Sequence, residues 1–258
     1  MKHISARHTL LLRALTAGLL GMVLRCILYR IGFDEKGILP ASHPLNVASL
    51  LLAGGSAVYL WLQVRRLTPE AHAQGLAEGH PLHYLLHLAA AGCMAAHAFT
   101  LRVSMGSLLS TVRLLLTLGS AFCMVMAVCL PRRSTAVSLL GRGVICVCFA
   151  LDMLCRYQGW SGNPQLPDYF LHVFACVFLA LFTYQDMACD AGLGRNRTRS
   201  FCALTAMVLC VMCISGPDPR YFYAGGALWA AACLAVPAPP EALPEPEAAA
   251  EPEAEEEG

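Results

Sequence analysis

Long apolar runs recur along the whole chain and constrain its fold more than any other feature. Eight runs of 16 to 24 residues carry few charges, and charged residues make up only 14% of the sequence. About 20 apolar residues in a helix cross a bilayer, whereas the strands of a membrane barrel are short and alternate in polarity. The sequence therefore predicts an all-α, polytopic transmembrane helical bundle.

Each predicted helix is a mainly apolar stretch bounded by charged or proline-containing segments. They lie near residues 9–31, 45–64, 82–101, 107–130, 136–157, 168–188, 200–215 and 221–236. Arg13 and Arg25 interrupt the first run, which is too long for a signal peptide, so a retained first helix is expected. Residues 1–236 are predicted to form one transmembrane helical domain.

The C-terminal segment 237–258 differs from the rest of the chain in composition. It holds eight Glu and six Pro with no Lys or Arg, and removing it leaves 18 basic and nine acidic side chains, a formal charge of +9. Such a segment buries too little apolar surface to fold. We expect a disordered acidic tail; a docking role for a basic partner is the alternative.

The distribution of Lys and Arg between the predicted loops indicates an orientation. Nine lie on the side that holds the termini and five on the other side. Cytoplasmic loops carry the excess of positive charge. The sequence predicts a cell-membrane protein with both termini in the cytoplasm.

Two predicted external loops share a pattern. Tyr29 precedes Leu39-Pro40 in the first, and Tyr157 precedes Leu166-Pro167 in the other, at nearly equal spacing. Two parallel four-helix repeats, as in some transporters, would produce this match. Coincidence between two loops is an equally good interpretation.

Five ionisable side chains of five predicted helices fall at similar depth near the external ends. They are Arg25, His97, Arg113, Asp152 and His172, and Arg25 and Asp152 lie about 6–8 Å below their helix ends. Ionisable groups inside a membrane span are candidates for function. The hypothesis is an external-side site in which Arg25 and Arg113 hold a carboxylate or phosphate and Asp152 orients one arginine. The alternative is structural: Asp152 pairs with Arg156, and Arg25 extends its head group outward.

A second polar layer is predicted near the cytoplasmic ends of the helices. It contains Arg13, Arg142, Asp186 and Asp190. Close by, "HPLHYLLH" places His83 and His87 four residues apart, a spacing that suits a metal. Because the motif carries no carboxylate, these are weak metal candidates, and histidines packed at the interface are favoured.

Signatures of catalysis are missing from the sequence. It has no phosphate-binding loop, nucleophile elbow or dinucleotide glycine motif, and the single Cys-x-x-Cys pair, Cys210 and Cys213, lies within an apolar run. We interpret these cysteines as small packing residues. Glycines such as Gly18, Gly21 and Gly54 indicate close helix packing.

Three segments resemble uncharacterised multi-pass membrane proteins of anaerobic Firmicutes. They are "YRIGFDEKGILP...HPL", "SGNPQLPDYF" and "YQDMACDAGLG". The resemblance implies a bacterial protein with about eight helices, and it transfers no catalytic residues.

The favoured function is a small transport or ligand-binding protein with a basic site in the external half of the bundle. An intramembrane enzyme acting on a lipid or thiol, and an accessory subunit with an acidic docking tail, are the alternatives. Expected partners are the lipid bilayer and a small anion; no cofactor and no nucleic acid are expected, and the oligomeric state stays open.

Overall fold

Eight α-helices form within the described part of the chain, as the apolar runs predict. A computed structural model describes residues 2–32, 43–68, 80–101, 108–129, 136–160, 166–216 and 219–235, without the side chains of 2–8, 159–160 and 166–168. The helices are α1 (Lys2–Ile31), α2 (Pro44–Arg66), α3 (Pro81–Thr100), α4 (Leu108–Cys129), α5 (Ala136–Trp160), α6 (Leu166–Asp190), α7 (Asn196–Cys213) and α8 (Arg220–Ala235). No strand occurs within these ranges. Most of the first predicted external loop, and the acidic tail for which disorder is predicted, lie outside these ranges.

Six of the eight helices are long and apolar enough to cross a membrane by length and composition. The exceptions are α7 and α8, with 18 and 16 residues. At 1.5 Å per residue they are roughly 27 Å and 24 Å long, close to the ~30 Å thickness of a bilayer core. The chain is therefore a polytopic transmembrane bundle in which the last two helices are the shortest.

The two short helices form the interior of the bundle. Fifteen of the 18 residues of α7 are buried, as are ten of the 16 residues of α8. α7 packs against α1, α2, α6 and α8, while α8 packs against α3, α6 and α7. The outer helices expose large apolar side chains such as Leu85, Phe99 and Leu115, which suits contact with lipid. A more polar sequence is tolerated in α7 because the other helices shield it.

Histidine–proline pairs start two of the helices. His43 and His80 are the N-caps, and their Nδ1 atoms accept from the amides two residues on at 3.3 and 3.2 Å. Pro44 and Pro81 follow at the first helical positions, where a missing amide hydrogen costs nothing. At the turn between α6 and α7, Gly192 has a φ of 78°, and Gly supplies that conformation most readily.

Glycine marks close helix contact at only some of the predicted positions. A Cβ on Gly18 would lie 2.9 Å from Cβ of Val211, and one on Gly21 would meet Met212, so α1 and α7 approach closely. At Gly54 an added Cβ meets nothing within 4 Å, and the prediction for that glycine was wrong. Small residues allow close approach but do not by themselves produce it.

Packing in the two halves of the chain is not equivalent. α6 packs extensively on α7. The corresponding pair in the first half is α2 and α3, and their described residues make few contacts or none. The two-repeat organisation stays a prediction, and helix packing gives it no support.

Candidate functional site

Asp152 lies between two arginines and a histidine from three helices. Its Oδ1 atom accepts from Nε of Arg113 on α4 at 2.7 Å and lies 3.6 Å from Nε2 of His97 on α3. Arg156, one turn further along α5, donates from Nε to Oδ2. The Asp152 side chain is 1% exposed, against 23% for Arg113. This carboxylate therefore joins α3, α4 and α5 inside the bundle.

The guanidinium of Arg156 also contacts the buried helix α8. Its Cζ atom lies 4.8 Å from the ring centroid of Phe222 and 5.4 Å from that of Tyr223. Both rings are fully buried. Cation–π contacts strengthen where water is excluded. Arg156 thus connects Asp152 to the start of α8.

A second chain of contacts leads from Tyr223 to α1. The Tyr223 hydroxyl lies 2.7 Å from Nδ1 of His172, and Nε2 of His172 lies 3.2 Å from Nη2 of Arg25. Arg25 also donates to Tyr29 and is fully buried. Because a guanidinium only donates, Nε2 must accept, which assigns the ring proton to Nδ1 as donor to Tyr223.

All five residues of the predicted external site belong to one network of contacts, in which Arg25 is joined to Asp152 through His172, Tyr223 and Arg156 rather than directly. We call this network the Asp152 cluster. It comprises Arg25, His97, Arg113, Asp152, Arg156, His172 and Tyr223. The structural alternative holds only in part, since Asp152 does pair with Arg156 while Arg25 turns inward. Tyr223 was missed because it opens a short, apolar helix; the aromatic run 221–223 was the available signal.

Positive charge exceeds negative charge in the Asp152 cluster. Arg113 and Arg156 share one carboxylate, and Nη2 of Arg156 is buried with no hydrogen-bond acceptor among the described residues. Arginine binds carboxylate or phosphate through two parallel hydrogen bonds. The arrangement can accept a small oxyanion in exchange for, or in addition to, the carboxylate of Asp152.

A second buried ion-pair network lies at the opposite end of the bundle. Nε of Arg142 is 2.9 Å from Oδ2 of Asp186, and Nε of Arg199 is 2.5 Å from Oδ1 of the same carboxylate. Arg142 also pairs with Asp190, and Nη2 of Arg199 donates to the carbonyl of Cys233 on α8 at 2.7 Å. We call these four charged residues, with two positive and two negative charges, the Asp186 cluster.

The predicted cytoplasmic layer contained three members of the Asp186 cluster. Arg13, also placed there, instead donates to Tyr59 of α2. The helix predicted from residue 200 leaves Arg199 in a loop, but α7 begins at Asn196 and Arg199 is fully buried within it. A buried arginine needs a partner from another helix, and sequence spacing does not reveal that partner.

The two weak metal candidates pack against each other and against an aromatic ring. The ring centroids of His83 and His87 are 4.2 Å apart, and His87 lies 5.3 Å from Trp229. Across the described part of the chain, no group of three or more His, Cys, Asp or Glu could hold a metal ion. The geometry therefore favours packing for both histidines.

Comparison of the chain with protein-family models, curated proteins and solved structures found no match. The resemblance to membrane proteins of anaerobic Firmicutes therefore stays a prediction.

Proposed function

We propose that this multi-pass membrane protein binds a small oxyanion at the Asp152 cluster, as a transport or ligand-binding protein. One observation carries the proposal: Arg113 and Arg156, from two helices, converge on a single buried carboxylate. Breaking a buried ion pair is strongly unfavourable, so an anion that loosens Asp152 must supply equivalent hydrogen bonds. Carboxylate and phosphate oxygens have that chemistry.

Exposure indicates the side from which an anion reaches the cluster. Arg113 is 23% exposed, whereas Asp152 and Arg156 are 1% and 5% exposed at their side chains. An anion that contacts Arg113 first can then compete with Asp152 for its guanidinium. The partly exposed arginine is therefore the entry residue of the proposed site.

The proposed orientation places this site on the external side of the cell membrane. Among the Lys and Arg residues counted for sidedness, Arg199 and Arg156 are buried in helices. Removing both from the counts of nine and five leaves eight against four. The positive-charge bias still favours cytoplasmic termini, and the Asp152 cluster then faces outward.

The proposed alternatives to anion binding differ in what they require of Asp152. An intramembrane enzyme would need this carboxylate to activate a nucleophile, but Asp152 is already paired with two arginines. An accessory subunit would use the cluster only to hold α3, α4 and α5 together. The anion response of the purified protein separates binding from this purely structural role.

The test is thermal unfolding of the purified full chain in detergent with sodium phosphate, sodium succinate or sodium chloride at equal ionic strength. We expect phosphate or succinate to raise the unfolding temperature above that in chloride. An anion at 100 times its Kd stabilises by about 2.7 kcal/mol, which corresponds to roughly 5–11 °C for a chain of this size. Arg113→Gln should remove the rise.

The matched control is Arg65→Gln, which removes the same charge from an exposed arginine stacked on Trp61. The control should keep the full rise. An equal rise in Arg113→Gln, or no rise beyond chloride in the unsubstituted protein, would contradict the proposal. Nanodiscs with and without phosphatidylglycerol distinguish a free anion from a lipid phosphate as the ligand. If phosphatidylglycerol alone raises the unfolding temperature and Arg113→Gln removes that rise, the ligand is the lipid headgroup.

A further inference from the structure

Four exposed arginines lie at one end of the bundle, where α2 ends and α7 begins. We call them the basic rim, and they are Arg65, Arg66, Arg195 and Arg197. The ring of Trp61, in the last two turns of α2, packs edge-on against the ring of Phe201 in α7, with centroids 5.1 Å apart. This contact brings the two pairs of arginines to the same end of the bundle.

The basic rim has no acidic partner within the described ranges. Every carboxylate whose side chain the structure describes is at most 1% exposed and pairs with other arginines. Arg65 stacks on Trp61, and the side chains of the other three make no hydrogen bond or ion pair there. The first turn of α7 holds no acidic residue either, and the start of a helix carries partial positive charge. The rim therefore presents four positive charges that the described residues leave unneutralised.

The turn between α6 and α7 sets the positions of two rim arginines. The amides of Leu193 and Gly194 both donate to the carbonyl of Ala188 at 2.9 Å, which closes the turn onto the end of α6. Arg195 is the N-cap residue of α7 and Arg197 lies in its first turn. Backbone hydrogen bonds thus hold both arginines at the surface.

The chain leaves α8 beside the basic rim. Arg199, two residues after Arg197 in α7, donates from Nη2 to the carbonyl of Cys233 at 2.7 Å, and α8 ends at Ala235. Two helical residues advance the chain by about 3 Å. Segment 237–258 therefore starts at the rim end, whichever side of the membrane that end faces.

Segment 237–258 has the charge that the basic rim lacks. It holds eight Glu and no Lys or Arg, and its first glutamate, Glu241, comes six residues after Ala235. Six residues reach roughly 13 Å as a flexible coil and roughly 19 Å as a polyproline II helix. A short tether also gives an effective concentration on the order of millimolar. Length, charge and attachment point all suit contact with the rim.

We infer that segment 237–258 docks on the basic rim of its own chain through glutamate–arginine pairs and keeps anionic lipid headgroups off these arginines. Each exposed pair is weak, so several pairs and the tether must act together. Eight glutamates on four arginines leave surplus negative charge, which repels anionic headgroups. The docking surface lies at the opposite end from the Asp152 cluster and does not depend on anion binding there.

The test uses the full chain in phosphatidylcholine nanodiscs at roughly 10 mM salt, where the Debye length is about 30 Å. Endoproteinase Glu-C cleaves after glutamate, and mass spectrometry follows the release of peptides from segment 237–258. Cleavage tracks the undocked population when docking is fast. Arg195→Gln/Arg197→Gln should be cleaved roughly fivefold faster than the unsubstituted protein, equivalent to ~1 kcal/mol.

The matched control is Arg30→Gln/Arg220→Gln, which removes two exposed arginines from the other end of the bundle. The control should keep the slow rate, and at about 1 M salt, where the Debye length is ~3 Å, all three rates should converge. Equal rates at low salt for the unsubstituted protein and the rim variant, or equal acceleration of both double variants, would overturn the inference.

A direct measurement of contact uses carbodiimide, which joins a lysine amine to a nearby carboxylate. Arg197→Lys should couple to a glutamate of segment 237–258, whereas Arg220→Lys should not. Absence of coupling from Arg197→Lys would contradict docking. The remaining occupant is lipid: if Arg195→Gln/Arg197→Gln retains less phosphatidylglycerol than the control while cleavage stays unchanged, the rim binds headgroups and the docking of segment 237–258 is wrong.

Discussion

Replacing Asp152 with asparagine removes the charge that two arginines share while leaving the side-chain volume nearly unchanged. The carboxylate is 1% exposed and contacts Arg113, Arg156 and His97. Removing one partner of a buried ion pair costs about 3–5 kcal/mol, because the remaining charge stays buried. We therefore expect Asp152→Asn to lower the free energy of unfolding by ~3–5 kcal/mol, or the unfolding temperature by roughly 6–20 °C.

Arg113 and Arg156 should contribute differently to the free energy of unfolding. Arg113 is 23% exposed, and its loss leaves Asp152 paired with Arg156 and near His97. Arg113→Gln should therefore cost only about 1 kcal/mol, as for a solvent-screened pair. Arg156 is 5% exposed and also stacks on the aromatic start of α8, so Arg156→Gln should cost ~3–5 kcal/mol.

Unfolding of these variants can be followed by the reactivity of the chain's own buried thiols. Seven cysteines are buried and become reactive towards a fluorogenic maleimide on unfolding: Cys148, Cys176, Cys189, Cys202, Cys210, Cys213 and Cys233. Melting curves in detergent are recorded for both arginine variants, for Asp152→Asn and for Asp152→Asn/Arg156→Gln. The double variant should cost less than the sum of its single changes by at least about 1 kcal/mol.

Two results would refute this reasoning about the Asp152 cluster. One is a free energy of unfolding for Asp152→Asn that lies within about 1 kcal/mol of the value for the unsubstituted chain, because breaking a buried charge pair should cost more than that. The other is a larger loss of unfolding free energy from Arg113→Gln than from Arg156→Gln, which would contradict the order expected from the burial of the two arginines.

The remaining expectations concern the contacts of α8 and of α1. Tyr223→Phe removes the hydroxyl that His172 contacts at 2.7 Å and should cost ~1–2 kcal/mol in the same melting assay, while Tyr221→Phe, at an exposed position, should cost almost nothing. Gly18→Ala should destabilise by ~1–3 kcal/mol because the added methyl meets α7, whereas Gly55→Ala, in open space within a helix, should be neutral or stabilise by up to ~1 kcal/mol. Equal melting temperatures within either pair would contradict the corresponding packing argument.

The sequence predicted the helices well because apolar run length is a local property. The depth of the charged residues could also be predicted, since counting from the helix ends places Arg25, Arg113 and Asp152 in one layer. In the structure Arg113 contacts Asp152 directly, whereas Arg25 is linked to Asp152 through His172, Tyr223 and Arg156. What counting could not give is the direction in which each side chain faces. From the sequence alone Arg25 could equally extend outward; in the structure its guanidinium contacts His172 of α6, whose ring is in turn held by Tyr223 of α8.

Arg199 shows where sequence reasoning fails. It lies in the first turn of α7 beside two further arginines of the same segment, and a cluster of arginines after a glycine-rich turn is typical of a loop. Its burial depends on Asp186, which lies 13 residues earlier on another helix, and on the carbonyl of Cys233. Only tertiary structure brings these groups together, so α7 begins four residues before its predicted start.

The position of the carboxylates bears on whether the ion pairs are there for stability. An apolar side chain of similar size usually stabilises a buried site as well as an ion pair does, or better. The chain has apolar residues in abundance, yet it places Asp152, Asp186 and Asp190 inside the bundle, each beside arginine. Within a membrane, ionisable groups are costly and are kept where they act on an ion or a substrate. Stability alone therefore does not explain the two clusters, and the buried position of the Asp152 cluster agrees with the anion binding proposed for it.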